Sequence, residues 1–232
     1  DLEAYVPLRR SSSNRPHSNF AILRNGPLNV FVKYGLNGPS HAHPDIMNVE
    51  VAYGAWMVSR DLSNAGYRSF MCNHWQRTTV SHNTVACGGR NQAATHGGTC
   101  LHFDDTSIHA AVQEVYPGVD YERSLSIAAD HLQDSFMVTD RNQVSQTIDY
   151  LFHLESDFRV RLMEPGASLV PAVIEEQADG YRFLSDVKEV VTHAKTVTWH
   201  AANEGVGITL IFTVQPQQRL LVARSPDNPV NR

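Results

Sequence analysis

The sequence predicts an all-β protein, most simply one large antiparallel β-sandwich. Three observations carry this. Segments of strand length, apolar or alternating, follow one another along almost the whole chain. Turn dipeptides separate them, and helical periodicity is weak everywhere. Such spacing fits a sandwich or barrel rather than a βαβ fold.

The elements are read in chain order. The polar tract Ser11-Ser12-Ser13-Asn14 is expected as a loop or linker, making residues 1–18 a leading segment and 19–232 the sandwich domain. Strands are expected at Asn19 to Arg24, Asn29 to Gly35, Asn48 to Tyr53 and Ala55 to Asp61. The last two read as a hairpin turning near Tyr53-Gly54, with Val49, Val51 and Tyr53 on one face by the period of two. Further strands are expected at Thr84 to Cys87, Ile108 to Tyr116, Leu125 to Ala129 and Ser135 to Asp140. Ile148 to Leu154, Phe158 to Met163, Tyr181 to Leu184, Val190 to Trp199, Gly207 to Val214 and Arg219 to Arg224 follow. The turn signals include Asn37-Gly38-Pro39, Gly88-Gly89, Gly97-Gly98 and Asp179-Gly180. A small second sheet is expected after about Met163, without a true domain boundary.

Composition narrows the function. The chain has 232 residues, 42% hydrophobic and 19% charged, so it can bury a core without disulfide or metal staples. Its net charge of −5 disfavours a generic nucleic-acid binder and requires any site for an acidic polysaccharide to be locally basic. No apolar run approaches the roughly 20 residues of a membrane-spanning helix, so neither nucleic acid nor membrane is expected as a partner. Asp1-Leu2-Glu3-Ala4 carries no signal-peptide pattern and no initiator Met, so a processed or excised piece is expected. Cys72, Cys87 and Cys100 show no CxxC spacing and are expected as free thiols. That mildly favours a reducing compartment or a secreted fold independent of disulfides.

Histidine is the outlier, with 12 residues. The strongest local signal is Ser40-His41-Ala42-His43-Pro44-Asp45, where two His at i and i+2 can point to one side of an extended segment. Asp61 and His82 follow. Two imidazoles and a carboxylate make a normal zinc set and leave one coordination position open. The plainer alternative is a group of histidines satisfied by hydrogen bonds. Arg60, Arg68, Arg77 and Arg90 then face a single acid, Asp61, between residues 60 and 92, beside His74 and Trp75. Guanidinium groups pair bidentately with carboxylate or sulfate, and Trp75 can stack on a sugar, although solvated arginines and a core Trp would read the same way.

Taken together, these motifs show a resemblance. Ser40 to Asp45, Ser59-Arg60-Asp61, the run from His74 through His82 to Val85, and Gly89-Arg90-Asn91-Gln92 resemble the C-terminal domain of heparinase II/III-like polysaccharide lyases, closest in flavour to the oligoalginate lyases. Phe20 to Arg24, Val30 to Gly35, Tyr116 to Val119 and Asp149 to Leu154 extend the resemblance over residues 20 to 154. It implies a large β-sandwich, or supersandwich, packed against an N-terminal α/α toroid. It implies zinc on His43, Asp61 and His82, with His41 facing the substrate cleft as the catalytic candidate. Arg77, Gln92 and Trp75 are the candidate substrate-binding residues. The implied reaction is β-elimination on an acidic oligosaccharide or polysaccharide, alginate or glycosaminoglycan. No helical stretch here can form the toroid, which must come from the same gene or a second chain. Little or no activity is therefore expected of this chain alone, unless a tyrosine such as Tyr67 or Tyr116 serves as acid–base group. Pro44 also departs from the small residue usual at that position.

Two other readings exist. One is a non-catalytic carbohydrate-binding sandwich, since fold does not fix activity. The other is a cupin-like metal oxygenase, because Gly35 and His41-Ala42-His43 copy the start of the cupin motif. The cupin Glu is missing from positions 44–47, and Glu50 comes too late.

Overall fold

A computed structural model describes residues 11–35, 41–62, 64–93, 97–143, 145–175, 178 and 180–226. The Asn37-Gly38-Pro39 turn, Ser40 and most of residues 1–18 lie outside the described residues.

Strands β1 (Ser13–Arg15), β2 (Phe20–Asn25), β3 (Leu28–Lys33), β4 (Val49–Tyr53) and β5 (Trp56–Ser59) form one antiparallel sheet in chain order. β6 (Val85–Cys87) follows a stretch of short turns. β7 (Thr99–Phe103), β8 (Ser107–Tyr116), β9 (Val119–Ile127) and β10 (Leu132–Asp140) make a four-stranded meander. β11 (Ile148–Tyr150) returns to pair with β6. The remaining strands are β12 (Arg159–Leu162), β13 (Ser168–Pro171), β14 (Ser185–Val191), β15 (Thr196–Ala202), β16 (Gly207–Thr213) and β17 (Leu221–Arg224). They form two three-stranded sheets, β12-β15-β16 and β13-β14-β17.

The alternation in the sequence decides which face is buried. Leu28, Val30 and Val32 of β3 and Ala21 and Leu23 of β2 face inward. They meet Ile108, Ala110 and Val112 of β8 and Tyr121 and Leu125 of β9 in one continuous core. Burying each Val, Leu or Ile contributes roughly 1.5–3 kcal/mol, so this interface joins the five-stranded sheet to the meander as a sandwich. A second cluster around Trp75, Val80, Ala86 and Tyr181 lies under the turns between β5 and β6. A third, around Val190, Val197 and Trp199, belongs to the later sheets.

Three expected elements differ. Ser13 and Asn14 are not loop; they enter β1, held by register with Ile22 and Ala21 at the sheet edge. Tyr181 to Leu184 is not a strand. Gly180 has φ 94, and the chain closes into a 3-10 turn over Tyr181–Phe183. Val190 to Trp199 is two strands, the end of β14 and the start of β15, separated by a turn that the Thr192 hydroxyl stabilises by accepting Ala194 N–H at 3.0 Å. Among the described residues, no helix is long and apolar enough to cross a membrane, and the three cysteines are free thiols.

Candidate metal and substrate site

Three irregular segments meet beside the β4–β5 hairpin. His43 precedes β4, Asp61 follows β5, and His82 follows the 3-10 turn Thr79–Ser81. Each segment is tied down locally. Asp45 pairs with Lys33 of β3. The Thr79 hydroxyl donates to the Pro44 carbonyl at 3.0 Å, and the Thr84 hydroxyl donates to the Ile46 carbonyl. A five-residue π-turn, Cys72–Gln76, leads into this region; such insertions concentrate at functional sites. Gly180 closes it from the far side, because a Cβ there would lie 2.0 Å from Val80 Cγ1.

The result is a compact donor set. One potential ligand atom each from His43, Asp61 and His82 lies within 4.8 Å of the others. The His43 and His82 ring centroids are 5.2 Å apart. The His82 side chain has no exposed surface, whereas Asp61 keeps about a third of its own. His82 Nδ1 lies 2.7 Å from Asp61 Oδ1, and His82 Nε2 lies 3.2 Å from the Gln76 carbonyl. A carbonyl only accepts, so Nε2 carries a proton and Nδ1 is the nitrogen open to exchange.

The electrostatics follow from these contacts. Burial works against a charged His82, but the Asp61 carboxylate and its hydrogen bond outweigh burial and hold the ring above its usual range. Burial would raise Asp61, yet the charge and hydrogen bond of His82 outweigh it and hold the carboxyl low. Burial, reinforced by the neighbouring His82, pushes His43 down and keeps it neutral, as a ligand must be. Glu50 accepts the Asp61 backbone N–H, and burial pushes its carboxyl up.

The other candidate residues fall into two groups. His41 stands outside the donor set. Its Nδ1 lies 2.5 Å from the Tyr67 hydroxyl, with the rings edge to face at 4.9 Å. Both side chains are exposed, Tyr67 at 50%. Asn73 fixes the Tyr67 loop by donating to the carbonyls of Tyr67 and Ser69. Arg77 is half-buried at the end of the π-turn, where its N–H donates to Cys72 O at 3.0 Å.

Trp75 and Gln92 are corrected by the structure. Trp75 is 1% exposed, edge to face with His153 and Phe183, so its faces are not open to a sugar. Gln92 is an internal clamp rather than a uronate ligand. Its Oε1 accepts Ile46 N–H at 2.7 Å, and its Nε2 donates to the Ile46 carbonyl at 3.1 Å. Tyr116 is also unsuited to proton transfer. It is buried, its hydroxyl donates to the Arg90 carbonyl, and burial pushes it up to about 12. The cupin-type set does not assemble either, since His41 turns to Tyr67 and Glu50 serves the Asp61 backbone.

The chain belongs to the Heparinase II/III-like, C-terminal family, which it matches over residues 7–228. Solved structures with the same fold include heparinase III, the BT4657 gene product, at 12% identity and TM-score 0.55, covering 89% of this chain and 43% of that one. A second crystal structure of heparinase III matches at 15% identity and TM-score 0.53, over 85% of this chain and 42% of that one. The heparan sulfate lyase HepC from Pedobacter heparinus matches at 11% identity and TM-score 0.56, over 90% and 44%. The chain thus spans less than half the length of these enzymes. No curated protein matches it in sequence.

Proposed function

We propose that this chain is the β-sandwich portion of a polysaccharide lyase that cleaves uronic-acid-containing chains by β-elimination. The observation that carries the reading is the exposed His41–Tyr67 pair, two residues along the chain from a half-buried His–Asp–His donor set. The donor set fits zinc: two imidazoles, one carboxylate and an open fourth position. Zinc bound there would add positive charge and lock together the segments that carry His43, Asp61 and His82.

The protein's own groups do the proton work. In β-elimination a base removes the C5 proton, the electron pair forms the C4–C5 double bond, and the 4-oxygen leaves with a proton. The Tyr67 hydroxyl lies within hydrogen-bond distance of His41 Nδ1, so the pair offers one group to take up the C5 proton and one to supply a proton to the departing 4-oxygen. Arg77 is the candidate to bind the uronate carboxylate, and neutralising that carboxylate acidifies C5. The rest of the convergent groups come from an α/α toroid, supplied by the same gene or by a partner chain.

The test is elimination of alginate, heparan sulfate and hyaluronan oligomers, read as unsaturated-uronate absorbance. The chain is assayed alone and with the toroid portion of its parent protein. Activity is expected only with the toroid, and His41→Ala and Tyr67→Phe should each lower it 100-fold or more by removing general acid–base catalysis. Full activity in both variants would overturn the reading. Oligouronide binding without cleavage in every combination would favour the carbohydrate-binding alternative.

A further inference from the structure

Arg123 projects from β9 into the core and is 1% exposed. A guanidinium in that position is costly unless every donor is matched. All five N–H groups of its fork find acceptors. Nε donates to Asp134 Oδ1 at 2.9 Å and Nη2 donates to Asp134 Oδ2, a bidentate pair with β10. Nη2 also donates to the Tyr150 hydroxyl at 3.2 Å, and that hydroxyl donates to Asp134 at 2.7 Å. The rings of Phe136 and Tyr150 lie 5.3 and 5.7 Å from the guanidinium carbon.

The two remaining donors do not serve the sheet. Nη1 donates to the carbonyl of Asn83, at 2.7 Å, and to the carbonyl of Met47. Asn83 is the residue after His82. Met47 ends the segment that carries His43, and it sits at φ 64, an unfavourable conformation for a side chain with a Cβ. One rigid fork therefore fixes both histidine-bearing segments to the meander. Asn83 adds to the tie, since its N–H donates to Asn48 Oδ1 at 2.8 Å.

We propose that Arg123 is a positioning residue for the His43–Asp61–His82 site, setting the spacing of the two imidazoles through the carbonyls of Met47 and Asn83. The proposal rests on the metal reading given above. Lysine cannot replace it, because a point charge on a flexible stem does not reproduce the fork.

The test compares Arg123→Lys with Tyr121→Phe, which loses hydroxyl contacts to Val85 and Cys87 in the same core while leaving the Arg123 bonds to Met47 and Asn83 in place. Two readouts are taken beside thermal unfolding. One is cobalt(II) affinity from its visible spectrum; the other is the NMR signal of the His82 Nδ1 proton in metal-free protein. Arg123→Lys should lose cobalt affinity about 10–100-fold, as when a ligand's outer support is removed, and its His82 proton should exchange faster. Tyr121→Phe should lose stability yet keep both readouts. Wild-type affinity and an unchanged His82 signal in Arg123→Lys would overturn the proposal, as would affinity losses that merely track stability in both variants. If Arg123→Lys does not fold, Tyr150→Phe loosens the Asp134 pair with the guanidinium in place, and a few-fold loss is expected there; no loss overturns the proposal. If wild type binds no cobalt, the metal reading fails, and the His82 proton alone decides the role of Arg123.

Discussion

His82 donates its Nδ1–H to the Asp61 carboxylate across 2.7 Å while its Nε2–H donates to the Gln76 carbonyl. The two acceptors make the metal-free ring a double donor. A cation that binds His82 must displace the Nδ1 proton and take the place beside Asp61. The Gln76 carbonyl would then orient the ring from behind, as second partners of metal-bound histidines do.

Zinc binding should therefore compete with protons. His82 is held above its usual range, so affinity is full above its pKa and falls as the pH drops through it, about tenfold per unit for one displaced proton. Isothermal titration at several pH values checks this, as proton release and affinity must change together. One zinc per chain is expected in wild type and none in His43→Ala, while His41→Ala should retain it. Zinc lost from His41→Ala would place His41 among the ligands.

Asp61→Asn should be worse than a simple loss of one ligand. The buried His82 would lose the charge that holds its proton, and its pKa should fall below the usual range. Because Asp61 is about one-third exposed, solvent offsets part of the loss, and about 1–3 kcal/mol of stability is expected to go. Denaturant unfolding and NMR titration of His82 measure the two effects separately.

Much of this was legible because it is local. The Val49/Val51 alternation places the β4–β5 hairpin, whose second strand ends at Ser59, two residues short of Asp61. The grouping of His43, Asp61 and His82 was legible from their residue types and their order in the chain, since all three lie in segments between strands. Exposure was not legible. Trp75 reads equally as a sugar platform or as core, and only its contacts with distant Phe183 and His153 decide for core. Gln92 is an amide that either reaches solvent or folds back. The chain folds it back because Ile46 has an N–H and a carbonyl to satisfy. The edge strand β1 was missed because its residues Ser13, Asn14 and Arg15 are polar, and an edge needs no apolar face.

Burial of Trp75 has a direct consequence. Trp75→Ala should destabilise the chain by about 3–5 kcal/mol, in the range for emptying an aromatic core position. A surface sugar platform would lose binding with stability intact. Trp75→Phe, which keeps most of the packing, should cost far less and leave oligouronide binding unchanged. Calorimetric unfolding with a binding titration on the same samples distinguishes the cases.

The last prediction concerns acid. His153 donates Nε2–H to the Val80 carbonyl at 2.9 Å, edge to face with Trp75. Burial pushes its pKa down to about 4, against roughly 6.5 for an ordinary histidine. Its folded pKa lies below its unfolded one, so the unfolded chain takes up a proton that the native chain refuses. The contribution is fully present above about pH 6.5 and drains away as pH falls toward 4. The span amounts to about 2–3 kcal/mol once partial solvent contact at this half-buried residue is allowed for. Carboxylates such as Asp61 also lose stabilising charge in acid, so wild type alone does not isolate the effect. His153→Leu does: it sacrifices the Val80 bond at every pH but cannot take up a proton. Its stability should therefore fall less steeply than that of wild type between pH 6.5 and 4. Denaturant unfolding across that interval measures both slopes, and equal slopes would mean that His153 titrates normally in the fold.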